Sequence, residues 1–455
     1  MRKFITILSI AIIASSCSVY RKYTRPELDL ENLYGNIQSQ SESSLADLSW
    51  QDFFTDPHLQ QLIELGLKNN PDMQSASERI AAAQATLRSA KLSFFPSFTF
   101  DPSFTANTSG SKSYTLPVNA SWEIDITGNI LNNKRSAQAA YEQSHLYRQS
   151  VQTALISEIA NSYYTLLMLD AQMAISRTTA ASWKENVRIM KAMKLAGMTN
   201  EASVSQTEAN SWEIDSSLFD LEYDILRVEN ALALLLGTTP QKFERGTIDN
   251  QHFSSKLEVG IPAQLLARRP DVRSAEKSLE QAFYATNMAR GAFIPNIILG
   301  GALQYGSLTD LLVSFTARLT TEIFNAGSNS ARLKVAQAQQ KQALIAFQHT
   351  LLAAGSEVND ALALCQTARN KQSIRTRQIA ALESAVNSTR QLMSHSESTY
   401  LEVLTAQQKL LSAQLSQVSD KFEEIQGTIN LYRALGGGVD HNEDISTLPK
   451  RGRKK

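Results

Sequence analysis

The feature that most constrains this chain is an internal repeat with a constant, ungapped offset of 199 residues. The recurring pairs are Pro71-Asp72 with Pro270-Asp271, Ser75-Ala76 with Ser274-Ala275, Phe94 with Phe293, Pro96 with Pro295, Gly128 with Gly327, and Leu236-Gly237 with Leu435-Gly436. A shared offset held over about 166 residues rarely arises by chance. The chain is therefore a tandem duplication, and both copies must adopt the same local fold.

Each copy is predicted to contain a helix, two strands, a long helix and a returning helix. We assign 71–237 to repeat 1, with strands at about 97–106 and 115–126 and the long helix at about 130–195. Repeat 2 is 270–438, with strands at about 296–305 and 311–323 and the long helix at about 328–395. Residues 17–70 and 238–269 are N-terminal and linking segments, and 439–455 form a disordered basic tail.

The second strand of each copy alternates apolar and polar residues, the period-two pattern of a strand with two different faces. The predicted apolar face consists of Leu116, Val118, Trp122 and Ile124, then Phe315, Leu319 and Ile323. Glu123 and Arg318 lie on the opposite, polar face. Such strands suit a transmembrane β-barrel wall with lipid outside and water inside. The same alternation also fits a soluble, half-buried hairpin.

The long helices are too long to be buried in a globule. No glycine or proline occurs between Gly128 and Gly197, so this stretch can form one helix roughly 100 Å long at 1.5 Å per residue. The returning helices have apolar residues in alternating steps of three and four, typical of coiled-coil seams. Those residues are Leu218, Leu221, Ile225, Val228, Leu232 and Leu235, and Leu411, Leu415, Val418, Phe422, Ile425 and Ile429.

The N-terminus has the pattern of an export signal. Arg2 and Lys3 precede an apolar run too short to span a membrane, so we assign residues 1–16 to a signal peptide. Small residues then lead to Cys17, resembling the site at which bacterial lipoproteins are cut and acylated. We expect a covalent lipid on Cys17 and no other cofactor. Only Cys365 remains, so no intrachain disulfide can form.

Four strands per chain cannot close a barrel, and an open strand edge in lipid costs several kcal/mol per unpaired backbone group. The chain must therefore oligomerise. Two chains would give eight strands, whose interior side chains fill, whereas three would give twelve and leave room for a lumen. The residues alone leave this choice open.

The sequence argues against catalysis and nucleic-acid binding. Lys plus Arg equals Asp plus Glu at 44 each, so no net charge attracts nucleic acid. The six histidines are scattered, none recurs at the repeat offset, and the common catalytic and phosphate-binding motifs are absent from the sequence. We predict a protein that is not an enzyme.

Several motifs together resemble the TolC-type outer-membrane efflux proteins, specifically the lipoprotein channels of resistance-nodulation-division pumps, a NodT-like subfamily. They are Cys17 followed by Tyr23-Thr24-Arg25-Pro26, Arg269-Pro270-Asp271-Val272, the Phe-x-Pro pattern at Phe94 and Phe293, Glu322-Ile323-Phe324-Asn325-Ala326-Gly327, and Leu435-Gly436-Gly437. The resemblance implies an α+β membrane protein, a homotrimer whose 12-stranded barrel continues into a periplasmic helical barrel. It also implies a passive exit duct in the outer membrane, partnered by a periplasmic adaptor and an inner-membrane transporter.

The resemblance also implies a periplasmic gate where the long helix turns into the returning one. The matching residues are Leu401, Glu402 and Thr405, where the family carries an apolar ring and acidic residues; Thr405 departs from that pattern. A ring of three carboxylates in a narrow mouth repels itself and attracts cations. The adaptor-contacting tip would lie at Gly197 and Ser396, although the family has glycine at the second position.

Two alternative functions stay open from the sequence. One is a type I secretion duct for polypeptides, which shares this architecture but serves another pump. The other is a periplasmic coiled-coil scaffold lipoprotein without a pore. The cargo is also open, because the residues expected to face the lumen, such as Asp125 and Arg318, are mixed in sign.

Overall fold

The computed structural model describes residues 20–28, 33–34, 44–108, 110, 112–251, 253, 259–260, 262–306, 309–320, 326–394 and 400–438. In chain order the main elements are α1 Pro57–Asn69, α2 Pro71–Leu92, β1 Ser97–Phe100, β2 Ser103–Ala106, β3 Lys112–Ile124, α3 Asn129–Leu195, α4 Glu201–Leu235, α5 Pro270–Gly291, β4 Asn296–Gly306, β5 Thr309–Thr320, α6 Ser328–Ser394 and α7 Tyr400–Ala434. Short helical segments lie at Leu45–Asp47, Trp50–Phe53, Ile248–Asn250, Pro262–Gln264 and Leu265–Arg268.

The two repeats have helices of equal length. Helices α2 and α5 each contain 22 residues, α3 and α6 each contain 67, and α4 and α7 each contain 35. This arrangement of two like units, each with strands and long paired helices, confirms the predicted fold class. Among the described helices, none combines the length and hydropathy needed for a membrane span.

The strands form one antiparallel sheet in the order β1/β2, β3, β4, β5. The predicted strand 97–106 is divided into β1 and β2, which both pair with β3. Pro102 has no N–H to donate to the ladder, which explains the interruption there. Strand β3 begins at Lys112, three residues before the prediction. Predicted residues 321–323 lie outside the described part of the chain.

Local signals in the sequence set the helix boundaries. The Asn70 side chain accepts hydrogen bonds from the N–H groups of Asp72 (2.8 Å) and Met73 (3.2 Å), and Pro71 fills the first turn of α2. The α4 N-terminus is capped in the same way by Asn200. Helix α4 ends before Gly237 at φ +63°, where a Cβ atom would lie 2.7 Å from the Asn69 carbonyl oxygen. Only glycine, which has no Cβ atom, lets the chain after α4 come this close to the end of α1.

The largest apolar core lies halfway along the long helices, where α1 packs against α3. Tyr163, Phe54 and Phe347 are fully buried there, and the rings of Phe53 and Tyr432 stack at 4.1 Å between centroids. Aromatic side chains bury large apolar areas, so this aromatic cluster stabilises the packing of the two repeats against each other. It separates the molecule into a half next to the sheet and a half that contains the turns between α3 and α4 and between α6 and α7, called here the hairpin half.

The helices pack side by side in both halves. Toward the sheet the order of contacts is α2, α3, α5, α6, and toward the hairpin turns it is α4, α3, α7, α6. Helix α6 therefore lies at one edge of the layer along its whole length, whereas α2 and α4 lie at the other edge.

Candidate functional site

One face of the sheet is apolar and exposed. The strand register brings together Leu116 with Tyr305, Val118 with Leu303, Trp122 with Leu299, Ile124 with Ile297, Gly301 with Phe315, and Ile297 with Leu319. Paired residues in antiparallel strands project to the same side. Phe315 is 86% exposed and Leu319 68% exposed, so no part of the described chain covers this face. The predicted member Ile323 lies outside the described residues.

The predicted members of the apolar face came from the second strand of each repeat, although the preceding strands showed a weaker alternation of the same kind in the sequence. Ile297, Leu299, Leu303 and Tyr305 belong to it through β4, and Phe98, Phe100 and Phe104 belong to it through β1 and β2. The alternation in β4 is hidden by Ile298 on the polar face and by the pair Gly300-Gly301. The constant offset of 199 residues was a second signal, because it makes Ile297 the counterpart of Phe98 in repeat 2.

Aromatic side chains mark both ends of the apolar face. At the end of the sheet that is far from the helices, the ring centroids of Tyr114 and Tyr305 lie 6.5 Å apart. At the end next to the helices, the Trp122 Nε1 donates to the Phe94 carbonyl oxygen at 3.0 Å. Tyr114 and Trp122 are about 27 Å apart along β3 at 3.4 Å per residue. This length matches the apolar band, about 25 Å tall between aromatic girdles, of outer-membrane barrels.

The opposite face of the sheet is mostly polar. The register places Thr99, Asn119, Ser121 and Glu123 on it from β1 and β3, and Ser314, Thr316, Arg318 and Thr320 from β5. The apolar residues on this face are Ile298, Leu312, Ala302 and Pro117. A sheet with one apolar exposed face and one polar face can separate lipid from water.

The N-terminal segment 20–28 contacts both the end of the sheet and the helices. The Tyr20 hydroxyl donates to the carbonyl oxygens of Asp125 (3.1 Å) and Ile126 (3.0 Å), where β3 gives way to α3. Arg135 donates to the Tyr20 carbonyl at 3.1 Å. Burial, together with the nearby Asp125 charge, raises the pKa of Tyr20, so the hydroxyl stays a donor. Farther along, Arg25 holds Glu276 through two hydrogen bonds of 2.7 and 2.6 Å.

The far end of the helices contains the predicted gate and tip residues. Helix α3 ends at Leu195 and is followed by Gly197 at φ +73°, a left-handed conformation that favours glycine. At the start of α7, Leu401 is 64% exposed, Glu402 and Thr405 are also exposed, and the next residues, Val403 and Leu404, are buried. The three predicted gate residues therefore share the outward face of α7. Ser396 lies outside the described residues.

A ladder of ion pairs links α3 and α4. Arg177 pairs with Glu222 (3.4 Å), Lys184 with Asp215 (3.0 Å) and Lys191 with Glu208 (2.7 Å), and Lys194 also contacts Glu201. The first three rungs recur every seven residues on each helix, as an antiparallel coiled coil requires. In the second hairpin the equivalent positions are Thr376 and Lys421, Glu383 and Gln414, and Arg390 and Gln407, none of which pairs across the helices. The two hairpins therefore differ in cross-helix bonding.

The described residues offer no catalytic arrangement. No cluster of three or more His, Cys, Asp or Glu side chains within them could hold a metal ion. A sheet that presents an apolar face to its surroundings and continues into long paired helices defines a channel protein of the outer membrane.

The chain belongs to the outer membrane efflux protein family, whose model matches residues 62–238 and 261–437. It is 27% identical to the cation efflux system protein CusC of Escherichia coli, over 94% of this chain and 98% of that protein. It is 28% identical to the probable outer membrane lipoprotein SilC of Salmonella typhimurium, over 96% and 98% respectively. The family makes this chain the outer-membrane channel of an efflux system, confirming that it is not an enzyme.

Solved structures show the same fold. The crystal structure of CusC superimposes with a TM-score of 0.84 at 27% identity, covering 92% of this chain and 99% of that one. The open state of the Neisseria gonorrhoeae MtrE outer membrane channel gives a TM-score of 0.83 at 25% identity, covering 92% and 98%.

Proposed function

We propose that three copies of this chain join head to tail into one closed pore that serves as the passive exit duct of a tripartite pump. The observation that carries this proposal is the pair of open sheet edges, β1/β2 on one side and β5 on the other. In lipid these edges must pair. Because the two edges differ, the contact is heterologous and generates a ring. With β1 and β2 counted as one interrupted strand, three chains give twelve strands and room for a water-filled lumen.

The edges of the helical layer support the same head-to-tail contact. The outer face of α4 carries Trp212, Phe219 and Tyr223, which are 70%, 72% and 65% exposed. Helix α4 is predominantly acidic, whereas the hairpin half of α6 contains Arg377, which lies outside the ion pairs that Arg369, Lys371 and Arg375 make with α7. Aromatic anchors and opposite charges at the two free edges suit contact between neighbouring copies.

We propose that Leu401, Glu402 and Thr405 form the gate of this pore. Their common outward face on the first turn of α7 is the support for this assignment. Threefold symmetry would bring three Leu401 side chains and three Glu402 carboxylates around one axis. Such a ring would narrow the mouth and favour cations.

The experiment that tests the gate is single-channel conductance of the purified protein in planar bilayers. Leu401→Ala combined with Glu402→Ala should raise the conductance several-fold, because the constriction loses both its apolar and its charged ring. The matched control changes the equivalent position of repeat 1, Ser203→Ala, and should leave conductance unchanged. If both variants conduct like the parent, the constriction lies elsewhere.

The lipid on Cys17 belongs to the same proposal. Tyr20, the third residue after Cys17 in the sequence, is bound where β3 meets α3. The described chain therefore begins at the edge of the sheet next to the helices, which supports an anchor near this end of the sheet. The name of SilC, a probable outer membrane lipoprotein, supports the same modification.

We further propose that a periplasmic adaptor contacts the tip at Gly197 and Ser396, and that an inner-membrane transporter of the resistance-nodulation-division class supplies the energy. The names of relatives at 27–28% identity refer to cation, solvent, toluene and antibiotic efflux. In this proposal the transporter selects the cargo, so deletion of the partner transporter should abolish export while the channel remains in the membrane.

A further inference from the structure

A cleft lies in the hairpin half, where α3, α6 and α7 meet. It has a volume of about 320 Å³, at the lower end of the size of small-molecule pockets. The apolar part of its wall comes from Val386, Leu410 and Leu411, and Thr179 and Trp183 enter from α3. The cleft is distinct from the proposed gate, because none of Leu401, Glu402 and Thr405 lines it.

One buried side chain in the wall has an N–H group without a partner among the described residues. Trp183 is 2% exposed, and its Nε1 makes no hydrogen bond. Next to it, the Gln407 Oε1 accepts a hydrogen bond from Asn186 at 2.8 Å, which leaves the Gln407 Nε2 facing the cleft as a second, solvent-accessible donor. A buried donor without an acceptor costs about 1–3 kcal/mol. The wall therefore favours a ligand that brings hydrogen-bond acceptors.

Two opposite charges flank the cleft, and the repeat explains why they are unpaired. Glu383 and Arg390 of α6 occupy the positions that Lys184 and Lys191 hold in α3. In the first hairpin those lysines pair with acidic residues across the helices. In the second hairpin the partner positions are Gln414 and Gln407, so neither Glu383 nor Arg390 has an ion pair among the described residues.

The spacing of these charges defines the length of a matching ligand. Seven residues separate Glu383 from Arg390 on one helix, a rise of about 10 Å. A tripeptide with free termini spans about 10 Å when extended, and its carbonyl groups are acceptors. We propose that this cleft binds a small apolar zwitterion, with its ammonium group at Glu383, its carboxylate at Arg390 and its carbonyl groups facing Trp183 and Gln407.

The test is isothermal titration calorimetry of the full-length protein in detergent with the tripeptide Leu-Ala-Leu. The free tripeptide should bind with a stoichiometry of one per chain. Amidation of its C-terminus or acetylation of its N-terminus should each weaken binding about tenfold, because each removes one charge-assisted contact.

Variants assign each end of the ligand. Arg390→Gln should weaken binding of the free tripeptide about tenfold but leave binding of the amidated form unchanged, since that form no longer uses the guanidinium. Glu383→Gln should do the same with respect to the acetylated form. The matched control is Arg332→Gln, an exposed arginine on the same helix outside the cleft, which should change neither.

Three results would overturn the proposal. One is no binding heat with the parent protein, and another is equal affinity for the free and the doubly capped tripeptide. The third is a shift from oligomer to single chain in native mass spectra of Glu383→Gln or Arg390→Gln, which would assign these charges to contact between copies. Because the readout is binding rather than conductance, failure here would leave the channel proposal intact.

Discussion

Equivalent positions in the two repeats perform one task with different side chains. Asn70 precedes α2, and its Nδ2 donates to the Leu235 carbonyl oxygen at the end of α4 (2.9 Å). Its counterpart Arg269 precedes α5, and its Nη1 donates to the Ala434 carbonyl oxygen at the end of α7 (3.1 Å). Each side chain thus ties the start of a repeat to its end. The arginine does more than the asparagine, because it also bonds Asp271 and Glu357.

Replacement of Arg269 should therefore destabilise the second repeat. Its side chain is 9% exposed, but the two carboxylates are about 40% exposed, so we expect Arg269→Ala to cost about 2 kcal/mol rather than the 3–5 kcal/mol of a fully buried pair. Arg269→Asn, which copies repeat 1, should recover part of the loss. Thermal unfolding by circular dichroism measures both.

A suitable control is Arg188→Ala, which removes an arginine bonded to Glu185 on the surface of α3. It should leave the unfolding temperature unchanged, because surface pairs contribute little. Equal shifts for Arg188→Ala and Arg269→Ala would contradict the assignment of Arg269 as the tie between the two ends of the repeat.

The same cluster predicts a dependence on pH. Burial alone would raise the pKa of Asp271, but hydrogen bonds and the charge of Arg269 outweigh it and lower the pKa below that of a free aspartate. The folded state therefore binds this proton more weakly than the unfolded state. The stabilisation is present above the unfolded pKa of about 3.9 and is lost as the pH falls through the lower folded value. Unfolding temperatures between pH 6 and pH 3 should fall less for Arg269→Ala than for the parent.

At the scale of the element, the two faces of the sheet should tolerate charge differently. Phe315→Arg places a guanidinium on the apolar face near the middle of β5, where it should cost about 2–4 kcal/mol. Ser314→Arg places the same group on the polar face, which already contains Arg318, and should cost little. Chemical unfolding from lipid vesicles compares the two. Similar losses for both variants would mean that neither face contacts lipid.

At the scale of the whole molecule, the sheet and the lipid on Cys17 anchor the protein independently. The variant Cys17→Ala should lose acylation but remain in the outer-membrane fraction, because an apolar strand wall holds the protein without the lipid. Fractionation followed by high-salt washing measures this. Recovery of Cys17→Ala in the soluble periplasm would contradict the assignment of the sheet to the membrane.

Features that depend on local pattern could be predicted from the sequence, and those that depend on distant contacts could not. The long helices and the apolar faces of β3 and β5 follow from periodicity, which a single strand or helix reveals alone. Pro102 is a local signal for the break between β1 and β2, but the pairing of both strands with β3 has no such signal. The contact of Tyr20 with Asp125 joins residues 105 positions apart, and no periodic signal marks it.

The candidate sites divide in the same way. The exposure of Leu401 on the first turn of α7 agrees with a role at the pore entrance. The gate itself would be formed by side chains of several copies, so it stays a prediction. The cleft between Trp183 and Arg390 could not be predicted from the sequence, because it depends on how three helices converge. Its charges could have been found by comparing the two repeats, since Gln407 and Gln414 replace the acidic partners of repeat 1.

The equal lengths of the paired helices restrict how such a molecule can change in evolution. Helices α3 and α6 have 67 residues each, and α4 and α7 have 35 each. An insertion of one heptad in a single helix would leave one hairpin about 10 Å longer than its neighbour and the rim of the ring uneven. A longer or shorter duct therefore requires matched changes in four segments. Single insertions or deletions should rarely be tolerated, so the length of the helical part should vary little during evolution.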